Sequence, residues 1–399
     1  MTLTKIRTWC HLLVLPILTV LLLSAPASSS ASDRDDKDDK AADIVAKAPK
    51  GEPLEVVVTS RGADGAPVIS TVLADTRTQA VDLVARALDR SSTIGAEMDH
   101  RVSIDAYNDT HRSQQWALDA LKGETVNQST KGGGIKVAVV DTGVKSSHSD
   151  LSGNVLSGRD FVTPGTPAND LNGHGTHVAG IIAALANNNR GIAGLAPRAK
   201  ILPVRVLDRN GSGSSADVAK GIIYAADQGA KVINLSLGSS SSSTAMQSAV
   251  SYAISKNRLV VAAGGNRGCG LLGAPTEYPA AYSGVVGVGA VSKSISRSSY
   301  SSCGSWIDVV APGDGIISTM INNSVGLGCS SSANYCKISG TSFASGYVSA
   351  AGALAIAERG WGQATVARRL ESTAQDLEAS GKDRNTGSGF INPLKLINP

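Results

Sequence analysis

Short apolar runs alternate with segments of helical period through most of the chain. Lys136–Val140, Lys200–Val206, Val232–Leu237, Leu259–Ala263 and Val285–Val291 are rich in Val or Ile. Runs of this kind form strands buried on both faces. Ser215–Gln228 and Thr244–Lys256 instead carry apolar residues at helical spacing. Strands alternating with helices predict an α/β fold, a parallel sheet with helices on both faces.

A smaller pattern lies upstream. Leu54–Thr59 reads as a strand, Ala63–Ala66 as a turn and Val68–Leu73 as a second strand. From Thr76 to Leu88, Ala80, Val81, Val84, Ala85 and Leu88 recur at helical spacing. Residues around Ile94 to Ile104 can supply further strand. This predicts a small α+β unit able to fold by itself. Between Ile104 and Trp116 the chain turns polar, and exposed polar connections are where proteolytic nicking concentrates.

The first residues have another character. Lys5 and Arg7 precede an apolar run from Leu12 to Leu23, followed by the small residues Ala25 to Ala31. A charged start, an apolar middle and a small-residue exit predict a secretory signal over residues 1–31. The apolar run is short for a membrane anchor. Ser32–Lys40 is a charge run, predicted to be solvated and disordered. The resulting division is a signal at 1–31, a charged linker plus the α+β unit at 32–107, and the large domain at 108–399.

Composition narrows the class without naming a function. Apolar residues make up 42% of the 399 and charged residues 18%, the balance of a folded globular protein. A net charge of +4 gives no reason to invoke nucleic acid or an anionic membrane as partner. Removing the signal takes Cys10 and leaves Cys269, Cys303, Cys329 and Cys336. In an exported chain an even number points to two disulfides, and four cysteines permit three pairings. Cys329 with Cys336, closing a short Ser-rich loop, and Cys269 with Cys303 is the favoured pairing. A metal cluster is the competing reading, but there is no CxxC and no neighbouring His.

Three motifs carry candidate chemistry. Val137–Val144 is an apolar strand ending in Asp141-Thr-Gly, and functional groups gather at the carboxyl ends of such strands. An ordinary turn is its bland alternative. Asn172–Gly180 places His174 between two glycines at the start of a small-residue helix, with His177 three positions on. The two histidines lack the spacing and carboxylate of a zinc motif, so His177 is expected to be structural, hydrogen-bonded within its helix. Ile338–Gly346 puts Gly340-Thr-Ser342 at the opening of a third helix, where free N–H groups favour an oxyanion. Plain helix capping is the alternative there. A serine nucleophile needs a base and the base an orienting acid, and Asp141, His174 and Ser342 offer one of each.

With those motifs in that order, the chain from about Gln114 to its end resembles the subtilisin-like serine protease family. The resemblance implies a parallel-sheet fold and peptide hydrolysis through Asp141, His174 and Ser342. Ile233–Gly238 resembles the strand that pairs with extended substrate, which implies binding roles for Ser236, Leu237 and Gly238. Val260–Asn266 resembles the strand that ends in the oxyanion-hole asparagine, implying that role for Asn266 and a substrate contact at Gly264. Residues 52–105 resemble the family's propeptide, an intramolecular inhibitor and folding helper, and Ser113–Trp116 resembles the start of a mature chain. Where the family usually has Met-Ala-x-Pro-His after the nucleophile, this chain has Phe343-Ala-Ser-Gly346-Tyr347. Glycine there lowers helical preference by about 1 kcal/mol against alanine.

The resemblance also implies structural Ca²⁺ at Asp150 and the Ala186–Gly191 loop, with Asn188 as a ligand, and no catalytic metal. Matching Tyr278-Pro279 to the family puts Glu277 at the base of the pocket for the residue before the scissile bond. Two readings stay open for it. A buried carboxylate would favour Lys or Arg there, or Glu277 pairs with Arg267 or faces solvent and leaves a broad apolar pocket, the favoured reading. The expected protein is a secreted, self-processing, monomeric endopeptidase acting on proteins or peptides. A non-catalytic binding protein on the same fold and a metallohydrolase using His174 and His177 are its rivals.

Overall fold

The computed structural model describes residues 31–46, 54–98, 107–270 and 273–398. The chain divides into two compact units, Met1–Ile104 and Asp105–Pro399. The apolar run expected to be a signal lies outside the described residues.

In the first unit, α1 (Ala31–Ala46) is followed by β1 (Leu54–Arg61), β2 (Pro67–Ala74), α2 (Arg77–Leu88) and β3 (Thr93–Met98). The strands form an antiparallel sheet in the order β2-β1-β3. The Thr76 hydroxyl caps α2 by accepting from the Gln79 N–H, a contact that typically contributes about 1 kcal/mol. Val56, Val58, Ala80 and Val84 make the core. The charge run expected to be disordered is helical instead, as part of α1. Ala41 and Val45 of that helix are buried with the core of the sheet and α2, and Lys37 pairs with Asp89. Two apolar anchors four residues apart hold a segment whose remaining composition favours solvent.

The second unit runs α3 (Trp116–Ala120), α4 (Gly123–Ser129), β4 (Lys136–Asp141), β5 (Arg159–Asp160), α5 (His174–Ala183), β6 (Lys200–Arg205), α6 (Ser215–Asp227), β7 (Val232–Leu235), α7 (Thr244–Ser255), β8 (Leu259–Ala263), β9 (Val285–Val291), β10 (Val309–Pro312), β11 (Ile316–Thr319), β12 (Tyr335–Ile338), α8 (Thr341–Arg359), α9 (Gln363–Ser372) and α10 (Pro393–Ile397). Seven strands form one parallel sheet in the order β10-β9-β8-β7-β4-β6-β5. β11 and β12 make a separate antiparallel pair. The predicted α/β architecture is the observed one. Val137 and Val139 of β4 face one core with α5 and α8. Ala138 and Val140 face a second core with α6 and α7, so the alternation of the strand feeds two helical layers.

The polar segment before Trp116 is not a loose connection where it is described. Tyr107, Asp109 and Gln115 are buried. The Gln115 amide exchanges hydrogen bonds with the backbone of Ala193, and Arg112 pairs with Asp119 and Glu124. The polar side chains there find partners within the domain, which composition alone does not reveal. Cys269 lies 5.2 Å from Cys303 and Cys329 lies 5.9 Å from Cys336 between Cα atoms, each pair bonded as favoured.

Strand order decides where chemistry can gather. After β4 the chain places β5 and β6 to one side and β7 to the other. Adjacent connections therefore part at the carboxyl end of β4, leaving the crevice in which open α/β sheets bind ligands. Asp141 is the last residue of that strand.

Candidate active site

Asp141 is fully buried, and both its carboxylate oxygens face His174 Nδ1, at 2.8 and 2.9 Å. Its Oδ1 also accepts the Thr142 N–H at 2.7 Å. His174 opens α5 after Gly173, whose φ of 115° suits a residue without a side chain. A Cβ on Gly175 would overlap the Gly143 carbonyl, so this glycine lets the helix start touch the strand end. Burial by itself would lower the His174 pKa; the Asp141 carboxylate, with Asp170 beyond it, outweighs that effect and leaves the imidazole above its ordinary value.

Asp170, which the sequence reading did not single out, ties these segments together. It is buried and accepts from the N–H groups of Asn172, Gly173 and Thr176 and from the hydroxyls of Thr142 and Thr176. The Thr142 hydroxyl in turn accepts the Gly175 N–H at 3.0 Å. One carboxylate thereby fixes the residue after Asp141 and both neighbours of His174. An Asp two residues before Asn172-Gly was the available signal, since Asp bonds backbone a few residues on.

Ser342 is the second residue of α8, at the positive end of a 19-residue helix. Its hydroxyl donates to the Ser236 carbonyl at 3.2 Å. Beneath it, the Ser236 and Ser345 hydroxyls both bond the Ser342 carbonyl, and Asn234 joins Ser236 to Ser349. This buried network between β7 and α8 was also not legible in the motifs. The Gly346 substitution leaves α8 unbroken from Thr341 to Arg359. A Cβ at Gly346 would sit 3.2 Å from Ile181, so the glycine serves close packing of α8 on α5.

Asn266 follows β8 and reaches the start of α8. Its Oδ1 accepts from both the N–H and the hydroxyl of Thr341, each at 2.9 Å. The side-chain nitrogen is thereby left for the cavity that Asn266 lines with His174 and Ser342. A second cavity on the other side of Ser342 is bounded by Ser236, Leu237, Gly238 and Gly265. A third runs past His174 and Ser236 to Met246 and Tyr278. These openings share residues and form one cleft around Ser342. Gly264 does not line it: its N–H goes to Val288 and its carbonyl accepts from Trp306, so Gly265 holds the wall instead.

The family model described as the Subtilase family matches residues 132–389. The chain belongs to the subtilase family of subtilisin-like serine proteases. This subtilase is 43% identical over 285 residues to thermitase of Thermoactinomyces vulgaris, covering 71% of this chain and 96% of thermitase. It is 40% identical over 284 residues to Subtilisin Savinase of Lederbergia lenta, covering 70% and 97%. It is 44% identical over 275 residues to the thermophilic serine proteinase of Bacillus sp. (strain AK1), covering 69% of this chain and 63% of that protein's length. A solved structure described as proteases from Pseudoalteromonas arctica PAMC 21717 superposes with a TM-score of 0.67 at 31% identity, over 74% of this chain and 99% of that one.

Of three further sites in the subtilase, one departs from its sequence reading. His177 is buried, but its Nε2 lies 3.1 Å from the carbonyls of Ile316 and Cys336, on β11 and β12 rather than in its own helix. Burial pushes its pKa down to about 3. Glu277 faces Arg267, as one branch of its favoured reading has it, and not solvent. It is 5% exposed, its Oε2 has no hydrogen-bond partner, and Arg267 Nε stands 3.8 Å away. Asp150 and Asn188 do meet, with the Asn188 amide donating to Asp150 Oδ1 at 2.7 Å. Asp109, absent from the sequence reading, joins that corner by accepting the N–H groups of Asn187 and Asn188. Among the described residues no group of three or more His, Cys, Asp or Glu could hold a metal.

Proposed function

We propose that this chain is a secreted, self-processing serine endopeptidase that hydrolyses peptide bonds with Asp141, His174 and Ser342 as its triad. The observation that carries the reading is the double contact of His174 Nδ1 with buried Asp141, facing the cleft that holds Ser342. Ser342 turns its hydroxyl from the Ser236 carbonyl towards His174 Nε2 and attacks the scissile carbonyl carbon while the imidazole takes its proton. Asp141 holds the tautomer and stabilises the imidazolium. Asn266 Nδ2 and the Ser342 N–H donate to the oxyanion. His174 then protonates the leaving amine as the C–N bond breaks. Water, deprotonated by the same imidazole, hydrolyses the acyl-enzyme and restores the Ser342 hydroxyl. Ser236, Leu237 and Gly238 lie along the cleft where an extended substrate would pair.

Export is supported by the residues before Ala31, and among the described residues no helix is long and apolar enough to cross a membrane. The separate α+β unit supports a propeptide that inhibits the enzyme until it is cleaved off. Val68, Ile69, Leu73 and Ile94 leave that unit with exposed apolar side chains, as a binding module would have. The working form is a monomer.

Structural Ca²⁺ near Asn188 is supported by two carboxylates at one corner, Asp109 and Asp150, which accept the N–H groups of Asn187, Asn188 and Ile192. Asp109 and Asp150 are both buried carboxylates, and desolvation followed by the proximity of Asp109 pushes Asp150 up to about 6. A bound divalent cation offsets that like-charge cost and suits oxygen ligands. Asp109 and Asp150 would hold it, joined by the Asn188 amide oxygen once the amide turns, since its nitrogen now donates to Asp150 and its oxygen accepts the Arg190 N–H.

The test is expression of residues 32–399 with and without Ser342→Ala, followed by intact mass, N-terminal sequencing, fluorophosphonate labelling and casein hydrolysis. Wild type is expected to label, trim itself near residue 107 and hydrolyse casein, while the variant does none of these. Equal casein hydrolysis by both proteins would end the assignment.

A further inference from the structure

The cavity beside Ser342 contains a charge with no hydrogen-bonded partner. It measures about 300 Å³ and is lined by Ser236, Leu237, Gly238, Ala263, Gly265, Asn266, Arg267, Glu277, Thr341 and Ser342. Glu277 is the single carboxylate among these residues, and Arg267 the single cation. The cavity therefore joins the nucleophile to one acid and one base, with small or uncharged residues between them.

Local structure holds the carboxylate in place. Tyr278, the next residue, pairs with Ser239 through reciprocal backbone hydrogen bonds of 2.8 Å, which sets Glu277 against Gly238. A Cβ on Gly238 would overlap Glu277 Oε1, and one on Gly265 would lie 3.0 Å from Oε2. The carboxylate fills space left by two absent side chains on the two walls of the cavity. Its side chain is 7% exposed, against 48% for Arg267. Burial raises the Glu277 pKa and Arg267 only partly opposes it. Removing a carboxylate from water is costly unless a partner hydrogen-bonds to it. Arg267 Nε, at 3.8 Å, is close enough to attract it but makes no hydrogen bond.

We propose that Glu277 is a specificity residue that selects peptide bonds following lysine or arginine, with Arg267 as an exposed counter-ion that the substrate cation displaces. The proposal rests on the endopeptidase reading above. A long cationic side chain entering beside Ser342 meets a buried acceptor and supplies the missing hydrogen bonds. An apolar side chain of similar length leaves the carboxylate desolvated and unpaired, and sites built around a buried polar group discriminate strongly against ligands that cannot satisfy it. Arg267, already half in solvent, leaves at little cost.

The experiment compares kcat/KM for three peptide p-nitroanilides identical except for Lys, Arg or Leu before the scissile bond. Wild type, Glu277→Gln, Glu277→Asp and Arg267→Ala are assayed as matured enzymes, with active sites counted by fluorophosphonate titration. Wild type is expected to prefer Lys and Arg over Leu at least tenfold. Glu277→Gln should lower that ratio at least tenfold, and Arg267→Ala should raise it, because the competing cation is gone. Glu277→Asp keeps the charge and should retain preference for a cation. A ratio unchanged in Glu277→Gln, or a wild type that prefers Leu, overturns the proposal. Cleavage of the Leu peptide by wild type reports on the hydrolase reading alone. If no peptide is cleaved and no fluorophosphonate is taken up, that reading fails, and this one with it.

Discussion

The side-chain carbonyl of Asn266 is held by Thr341, the residue before Ser342, through two hydrogen bonds of 2.9 Å. The amide is thus oriented by the same helix start that presents Ser342. Thr341 Oγ1 also accepts the Gly265 N–H at 3.2 Å, so a single hydroxyl joins the end of β8 to the beginning of α8.

Asn266→Ala should lower kcat by about 10²- to 10³-fold with little change in KM, a range known from enzymes of this kind rather than derived from this geometry. Thr341→Val keeps shape and the backbone bond but removes one of the two bonds that hold the amide, and should cost about tenfold. In the Asn266→Ala background the same change should cost much less. Equal effects of Thr341→Val in both backgrounds would show that it acts elsewhere. A double-mutant cycle on kcat decides.

Activity should rise with pH through the titration of His174, because the base must be neutral to take the Ser342 proton. Asp141 raises that pKa against the effect of burial. The half-maximum of kcat/KM should accordingly lie above the ordinary 6.5 of a histidine. Asp141→Asn should move the residual activity's midpoint downward as well as lower the rate. An unmoved midpoint would remove Asp141 as the cause.

Stability should respond to His177 in the acid direction. Its folded pKa, about 3, lies below the 6.5 of the unfolded chain, so the unfolded state takes up the proton first as pH falls. The stabilisation is complete above pH 6.5 and declines as pH drops towards 3. Between pH 6.5 and 5 the loss should be about 1.5 kcal/mol from this group. His148, held below its ordinary value mainly by burial, adds to the same slope. Denaturant melts of Ser342→Ala across that range, with and without His177→Gln, check the sign: the second variant should show the shallower slope.

The two disulfides should differ in what they contribute. Cys269–Cys303 closes a separation of 34 residues and Cys329–Cys336 one of 7. The chain-entropy model assigns them about 4 and about 2.5 kcal/mol. Paired serine substitutions in Ser342→Ala, followed by melting, should lower Tm more for the first pair. The second pair ties the loop that carries Gly326 and Leu327, which line the cleft beside His174. In the enzyme that keeps Ser342, its removal should raise KM more than the loss of the first.

Chelation supplies a check on the Asp109–Asp150 corner. EDTA should lower the Tm of Ser342→Ala, added Ca²⁺ should restore it, and Asp150→Asn should abolish the difference. Binding to the folded state alone stabilises by mass action. A Tm indifferent to chelator and to calcium would mean that the two carboxylates are carried without an ion.

The sequence by itself determined the layers and singled out the candidate triad. Val- and Ile-rich runs such as Val285–Val291 must be buried on both sides, and helical periods between them leave one economical arrangement. Asp141, His174 and Ser342 each sit in a local glycine- or helix-start setting that marks them within a few residues. What lay beyond reach was every role defined by a partner far along the chain. Asp170 and Thr341 look like ordinary capping residues until the fold brings Thr142 and Asn266 to them. His177 bonds carbonyls at Ile316 and Cys336, more than a hundred residues away. The charge run in α1 is ordered because Ala41 and Val45 find a core, and Glu277 is buried because Gly238 and Gly265 make room for it. Periodicity and propensity are properties of neighbours in sequence. Burial of a charge and the partner of a polar group depend on neighbours in space, and only the tertiary structure supplies those.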